Sequence, residues 1–97
     1  MIVRLMGESQ YRIDDSWLEH LNALDDRATE AIDANDPTVL EQRLSEIWQL
    51  VQREGTRLAA ADLSPSDAIV PPFDLSLNEA RELMGDDGFI PDLPAAQ

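Results

Sequence analysis

The chain has 97 residues, enough for one domain, and 43% of them are hydrophobic, against roughly 45–50% in ordinary globular proteins. Twenty Asp and Glu oppose seven basic residues, all of them Arg, for a formal charge of −13. That balance speaks against direct binding of nucleic acid or docking on anionic lipid, since both need clustered positive charge, and it favours a basic protein partner. Acidity kept for solubility or as an adaptation to salt is the plainer alternative. Without Cys there is no disulfide framework and no thiolate metal site. The chain opens on Met1 and Ile2 with no long apolar run, so the expectation is a cytoplasmic protein without signal peptide or membrane span.

Val3 and Leu5 alternate with Arg4, and Tyr11 and Ile13 alternate with Arg12. Two period-two runs around the polar break Gly7 to Gln10 predict a β-hairpin with a loop of about four residues. A lone hairpin is marginal in water and needs a third strand or a covering helix. Ala68, Ile69 and Val70, β-prone and closed by Pro71 and Pro72, are the expected third strand.

A first helix should begin at Asp14 to Ser16. Asp14 as N-cap sets Ile13 against Leu18, whereas Ser16 as N-cap pairs with Glu19. Its core stripe is Trp17, Leu21, Leu24, Ala28 and Ala31 or Ile32, widened by Leu18; Glu19, Asp25, Asp26, Glu30 and Asp33 fill the solvent side. Asn35 suits a left-handed helix end, Asp36 the next N-cap and Pro37 the first turn. The second helix then runs over 37–54 and stops at Gly55, with Leu40, Leu44, Ile47 or Trp48, Leu50 and Val51 inward. So short a link predicts an antiparallel helical hairpin. Residues 58–63 are mixed, loop or short turn. Ser64 to Asp67 reads as one helical turn, and Ser76 with Glu79 as a capping box opening a short helix that places Leu77, Ala80, Leu83 and Met84 inward. Phe89 and Ile90 are available to fold back on the core. The fold expected is therefore α+β: a three-stranded antiparallel sheet, made of the hairpin and residues 68–70, covered by the helical hairpin and a short third helix.

Little in the sequence points to catalysis. His20, the only histidine, lies beside the first stripe with no nucleophile or orienting carboxylate evident, and reads as a surface or boundary residue. The pairs Asp14-Asp15, Asp25-Asp26 and Asp86-Asp87 lack the alternating oxygen ligands of a calcium loop and read as caps and solvated faces. No cofactor and no metal is expected. Trp17 and Trp48 belong with the core at their helical spacing, while Met6 sits on the Arg4 side of its strand; exposed Met6 or Trp48 would mark a self-association face.

The opening residues Met1 to Asp15, then Ser66-Asp67 followed by Pro71-Pro72, then Ser76 to Glu79, then Gly85 to Pro91, occur in an order that resembles the PspAA domain family, small proteins associated with phage-shock protein A. The resemblance spans about residues 1–91, leaving 92–97 as a tail. It implies a non-enzymatic regulatory module of the membrane-stress response, acting beside a PspA-like coiled-coil protein and reaching the inner face of the membrane only through that partner. The family defines no catalytic residues, so none is carried over. The most family-specific segment is the turn with Gly7, Glu8, Gln10 and Tyr11. Turn chemistry accounts for Gly7 and does not require the other three together, so these four are the candidate partner-binding residues. Two other classes stay open: an acidic regulator of a basic nucleic-acid-binding protein, which calls for a regular row of carboxylates, and a carboxylate metal site.

Overall fold

The hairpin forms as its alternation demands. In the computed structural model, which describes residues 1–59 and 65–83, β1 (Ile2–Leu5) pairs antiparallel with β2 (Gln10–Arg12), Val3 facing Tyr11 and Arg4 facing Gln10. Gly7 takes φ 81°, the left-handed conformation that closes the turn at no steric cost to glycine. A 3-10 turn (Asp15–Trp17) leads into α1 (Leu18–Asp33), and α2 (Pro37–Glu54) returns against it. The chain continues through β3 (Thr56–Arg57), β4 (Ala68–Val70) and α3 (Leu77–Leu83).

The sheet differs from the expected one. It has four strands in the order β3-β2-β1-β4, and it is mixed: β3 pairs antiparallel with β2, but β4 pairs parallel with β1. β3 carries only two exposed residues, with no hydrophobic alternation to betray it. It exists because Gly55 ends α2 against β2, where Leu58 N–H extends the pairing to Gln10 C=O at 2.9 Å. β4 lies at the opposite edge, so the chain crosses from one side of the sheet to the other between residues 58 and 67. Parallel pairing needs a crossover connection, which a tight turn cannot supply. Pro65 and Ser66 form no helical turn; they approach β4 in irregular conformation, and Asp67 is a bend. Ser64 and residues 60–63 lie outside the described residues, as do Met84, Gly85 and the 86–91 segment.

One face of the sheet packs on the helices. Val3, Leu5, Tyr11, Ile13, Ala68 and Val70 join Leu21, Leu24, Ala28, Leu40, Leu44, Ile47 and Val51 in a single core cluster. Burying each of the Val, Leu and Ile side chains among them is worth about 1.5–3 kcal/mol in transfer terms. Both Ala31 and Ile32 are buried, so that alternative resolves to both; Ile47 is buried and Trp48 is half-buried. Trp17 is likewise half-buried, packed at the margin of the core. Asp25 departs from expectation, being only 2% exposed. It follows Leu21 by four and precedes Ala28 by three, so helical winding places it inside the apolar stripe.

The capping signals hold at α2 and α3 but not at α1. Asp14 accepts from Ser16 N–H at 2.8 Å and caps the 3-10 turn; α1 itself begins after Trp17 with no side-chain cap, so neither of the two expected registers caps it. Asp36 accepts from Val39 N–H at 3.1 Å, with Pro37 in the first turn and Asn35 at φ 55° ending α1. Ser76 and Glu79 exchange their two bonds, each 3.2 Å. α1 has no basic residue in its last turn. Arg81 of α3 supplies that charge, its guanidinium donating to Ile32 C=O at 3.1 Å and to the Asn35 side chain. α3 is thereby pinned to the end of α1 beside the fully buried Ala80.

Candidate functional site

The hairpin turn is built from main-chain bonds. Glu8 N–H donates to Leu5 C=O at 3.0 Å, Leu5 N–H to Ser9 C=O at 2.9 Å, and Met6 N–H crosses to Val70 C=O at 3.0 Å. The last bond ties the turn to the end of β4. Gly7 and Glu8 are exposed, and nothing lies within 4 Å of where a Cβ on Gly7 would stand. Gln10 and Tyr11 are each only 8% exposed. The four sequence-derived candidates are thus neighbours, but only Gly7 and Glu8 are open to a partner.

Gln10 and Tyr11 secure the turn from opposite sides of the sheet. Gln10 stands on the side away from the helices, and its Nε2 donates to Ser66 Oγ at 2.7 Å. With the reciprocal bonds Ile2 N–H to Asp67 Oδ2 and Asp67 N–H to Ile2 C=O, both 2.8 Å, it clamps the end of the crossover to β1 and β2. Tyr11 faces the core and extends its hydroxyl to the rim. Burial pushes the phenol pKa upward; its hydrogen bond to the Glu8 carboxylate and the charge of that group push the same way, while Arg57 and the Gln52 amide oppose them. The Arg57 guanidinium donates from Nε to Ser9 Oγ at 3.2 Å and stands 3.9 Å from Glu8 through Nη2. As an exposed pair, Arg57 and Glu8 contribute little stability. Arg57, Gln52 and Ser66 therefore complete a site the sequence displayed only in its first part. Their positions depend on pairing across the fold, and no local spacing announces them.

The remaining chemistry-bearing residues have structural employment. His20 is exposed and meets Trp17 edge to face, with ring centroids 6.0 Å apart. The Ser16 backbone N–H and then its side chain hold the Asp14 carboxyl below its ordinary pKa. Asp15 pairs with the Met1 nitrogen at 2.8 Å. Asp25 and Asp26 divide, one buried and one exposed. Among the described residues no group of three or more His, Asp or Glu side chains is disposed to hold a metal; Asp86 and Asp87 lie outside them. A shallow groove of about 360 Å³ between the helix ends is lined by Arg27, Ala31, Val39 and Arg43 among others, but Arg43 is already committed to Glu46 at 2.8 Å. No helix among the described residues is long and apolar enough to cross a membrane.

The outward side of the sheet presents a different surface. Arg4, Arg12 and Ile69 alternate with the core-facing positions and are exposed, Ile69 to 49%. Arg4 lies directly across from Ile69 on β4 and diagonally from Arg12 on β2.

No curated protein and no solved structure matches the chain significantly. The family described as PspA-Associated protein matches residues 1–92, nearly the whole chain, and includes the turn, the crossover end and the capping box described above. The chain belongs to the PspA-associated (PspAA) protein family, which links it to the PspA system.

Proposed function

We propose that this protein is a non-catalytic interaction module of the PspA-linked membrane-stress response, acting in the cytoplasm beside a PspA-like coiled-coil protein and restraining or supporting it by direct contact. The single observation that carries this reading is the family match over residues 1–92. The geometry supports it in one respect: main-chain bonds of Leu5, Met6 and Glu8 and the Arg57–Ser9 bond brace the hairpin turn that presents Gly7 and Glu8. With a net charge of −13 the chain is repelled from anionic lipid and reaches the membrane through its partner. Affinity capture from lysate of its own cells is the test. Recovery of a PspA-like protein is the expected result, and its absence at both low and physiological salt contradicts the reading.

A second reading, an acidic regulator of a basic nucleic-acid-binding protein, draws on α1. Glu19, Asp26, Glu30 and Asp33 are all exposed, and their spacing sets them in one row along the helix. Capture of a basic nucleic-acid-binding protein, lost on neutralising that row, would favour it.

A further inference from the structure

Every charged residue in the four strands is an arginine: Arg4 in β1, Arg12 in β2 and Arg57 in β3. Arg57 is engaged with Ser9 and Glu8. Arg4 and Arg12 have no ion pair or hydrogen bond among the described residues, and both stand on the outward face beside the exposed Ile69. The geometry points to this face, Arg4, Arg12 and Ile69, as a docking surface for an acidic α-helical segment of a protein partner. That segment would carry two carboxylates one turn apart and an aliphatic side chain one turn further on. The inference rests on the PspA-linked reading above and names the contact surface for it.

The spacing argues for a helix. Ile69, Arg4 and Arg12 lie on three successive strands, about 4.8 Å apart, and a helix laid across them advances about 5.4 Å per turn. Arg4 and Arg12 are diagonal neighbours with Cβ atoms about 7–8 Å apart. Carboxylates at i and i+4 have Cβ atoms about 5–6 Å apart and are within the reach of two guanidinium forks. The size of the patch argues against the other anionic occupants. Near a membrane each basic residue contributes about 1 kcal/mol, and lipid-binding clusters hold about 4–8 of them. A duplex binder neutralises about 6–10 phosphates. A second copy of this chain would bring one charge of −13 against another.

The same charges predict an unusual salt dependence. The shortest principal extent of the molecule is 22 Å. At about 0.01 M salt the screening length is about 30 Å, so the net charge of the whole chain is felt at the sheet face and repels an acidic partner. At about 0.15 M it is about 8 Å, and the sheet face acts alone; near 1 M, at about 3 Å, its own attraction fades. Binding should therefore peak at intermediate salt.

The test is calorimetric titration of the purified PspA-like protein of the same cells with the wild-type chain, R4Q/R12Q and R4E/R12E, across that salt range. The expected result is tightest wild-type binding near 0.15 M, a loss of about 10-fold in R4Q/R12Q and about 100-fold or more in R4E/R12E. Unchanged melting of R4Q/R12Q verifies the fold, and Ile69→Ser, which alters no charge, should weaken binding by about 5-fold. Binding by R4E/R12E within about threefold of wild type overturns the surface and leaves the PspA-linked reading standing. No binding by the wild type overturns that reading itself. Two further results assign the face to another occupant and overturn the inference: co-sedimentation with anionic vesicles lost in R4Q/R12Q, or a wild-type dimer in sedimentation that R4Q/R12Q dissolves.

Discussion

The strands hold Arg4, Arg12 and Arg57 and no acidic residue, whereas α1 alone holds Glu19, Asp25, Asp26, Glu30 and Asp33 against Arg27. The two layers share one core, and α1 turns Glu19, Asp26, Glu30 and Asp33 to solvent where the strands turn arginines. A net charge of −13 comes from the helices and the connecting segments together, and it misdescribes the strands. For a partner approaching within a screening length, the local face decides, and the choice between a basic and an acidic partner becomes a choice between the two sides of the molecule.

The comparison holds only if both layers are one cooperative unit, and the largest effects test that. Leu5 of β1 and Leu44 of α2 are both fully buried in the shared cluster. Leu5→Ala and Leu44→Ala should each lower unfolding free energy by about 2–5 kcal/mol in urea titration, with the strand and helix signals lost together. Separate transitions would divide the layers. Gly55, where α2 hands over to β3, comes next. A Cβ there would meet Val51 O at 2.5 Å and Arg12 O at 3.2 Å, both backbone atoms that yield poorly. Gly55→Ala should cost about 1–3 kcal/mol and disturb both layers at once.

Gly7→Ala strains only the sheet side. Open space surrounds the new methyl, so the cost is that of φ 81° for an L-residue, about 1–2 kcal/mol in thermal unfolding. Asp36→Ala acts only on the helix side and should cost about 1 kcal/mol through the lost cap on α2. Alkaline pH gives the smallest effect. The folded state raises the Tyr11 pKa above its ordinary value of 10.0, so the contribution of the protonated phenol is complete below pH 10 and is lost as pH rises through the folded pKa. The urea midpoint should fall above pH 10 in the wild type and fall less in Tyr11→Phe.

What could be read from sequence was whatever is settled within a turn or two of chain. Asn35, Asp36 and Pro37 between the helices, the Ser76–Glu79 box and the hairpin alternation each act on their own neighbours, and each appears where the residues placed it. β3 was illegible because two exposed residues become a strand only when Tyr11 and Arg12 are beside them. The direction of β4 was illegible because it is fixed by pairing with distant β1, and the three residues of the strand do not announce it. Asp25 was legible by its position in the helical stripe and was obscured by its charge. Of the candidate site, the turn was visible and its bracing was not: Gln52, Arg57 and Ser66 reach it from distant parts of the chain. The outward arginines were already marked by alternation with Val3, Leu5, Tyr11 and Ile13, but the net charge drew attention to the opposite sign.

Arginine side-chain NMR tests the central claim directly, because it reads the two layers in one sample. The Nε–H resonances of Arg4 and Arg12 report on the sheet face, and those of Arg27 and Arg53 on the helices. On titration with the PspA-like protein near 0.15 M salt, Arg4 and Arg12 should shift or broaden first while Arg27 and Arg53 hold still. Perturbation of Arg27 and Arg53 with Arg4 and Arg12 unmoved would contradict the account and put the partner on the acidic helices.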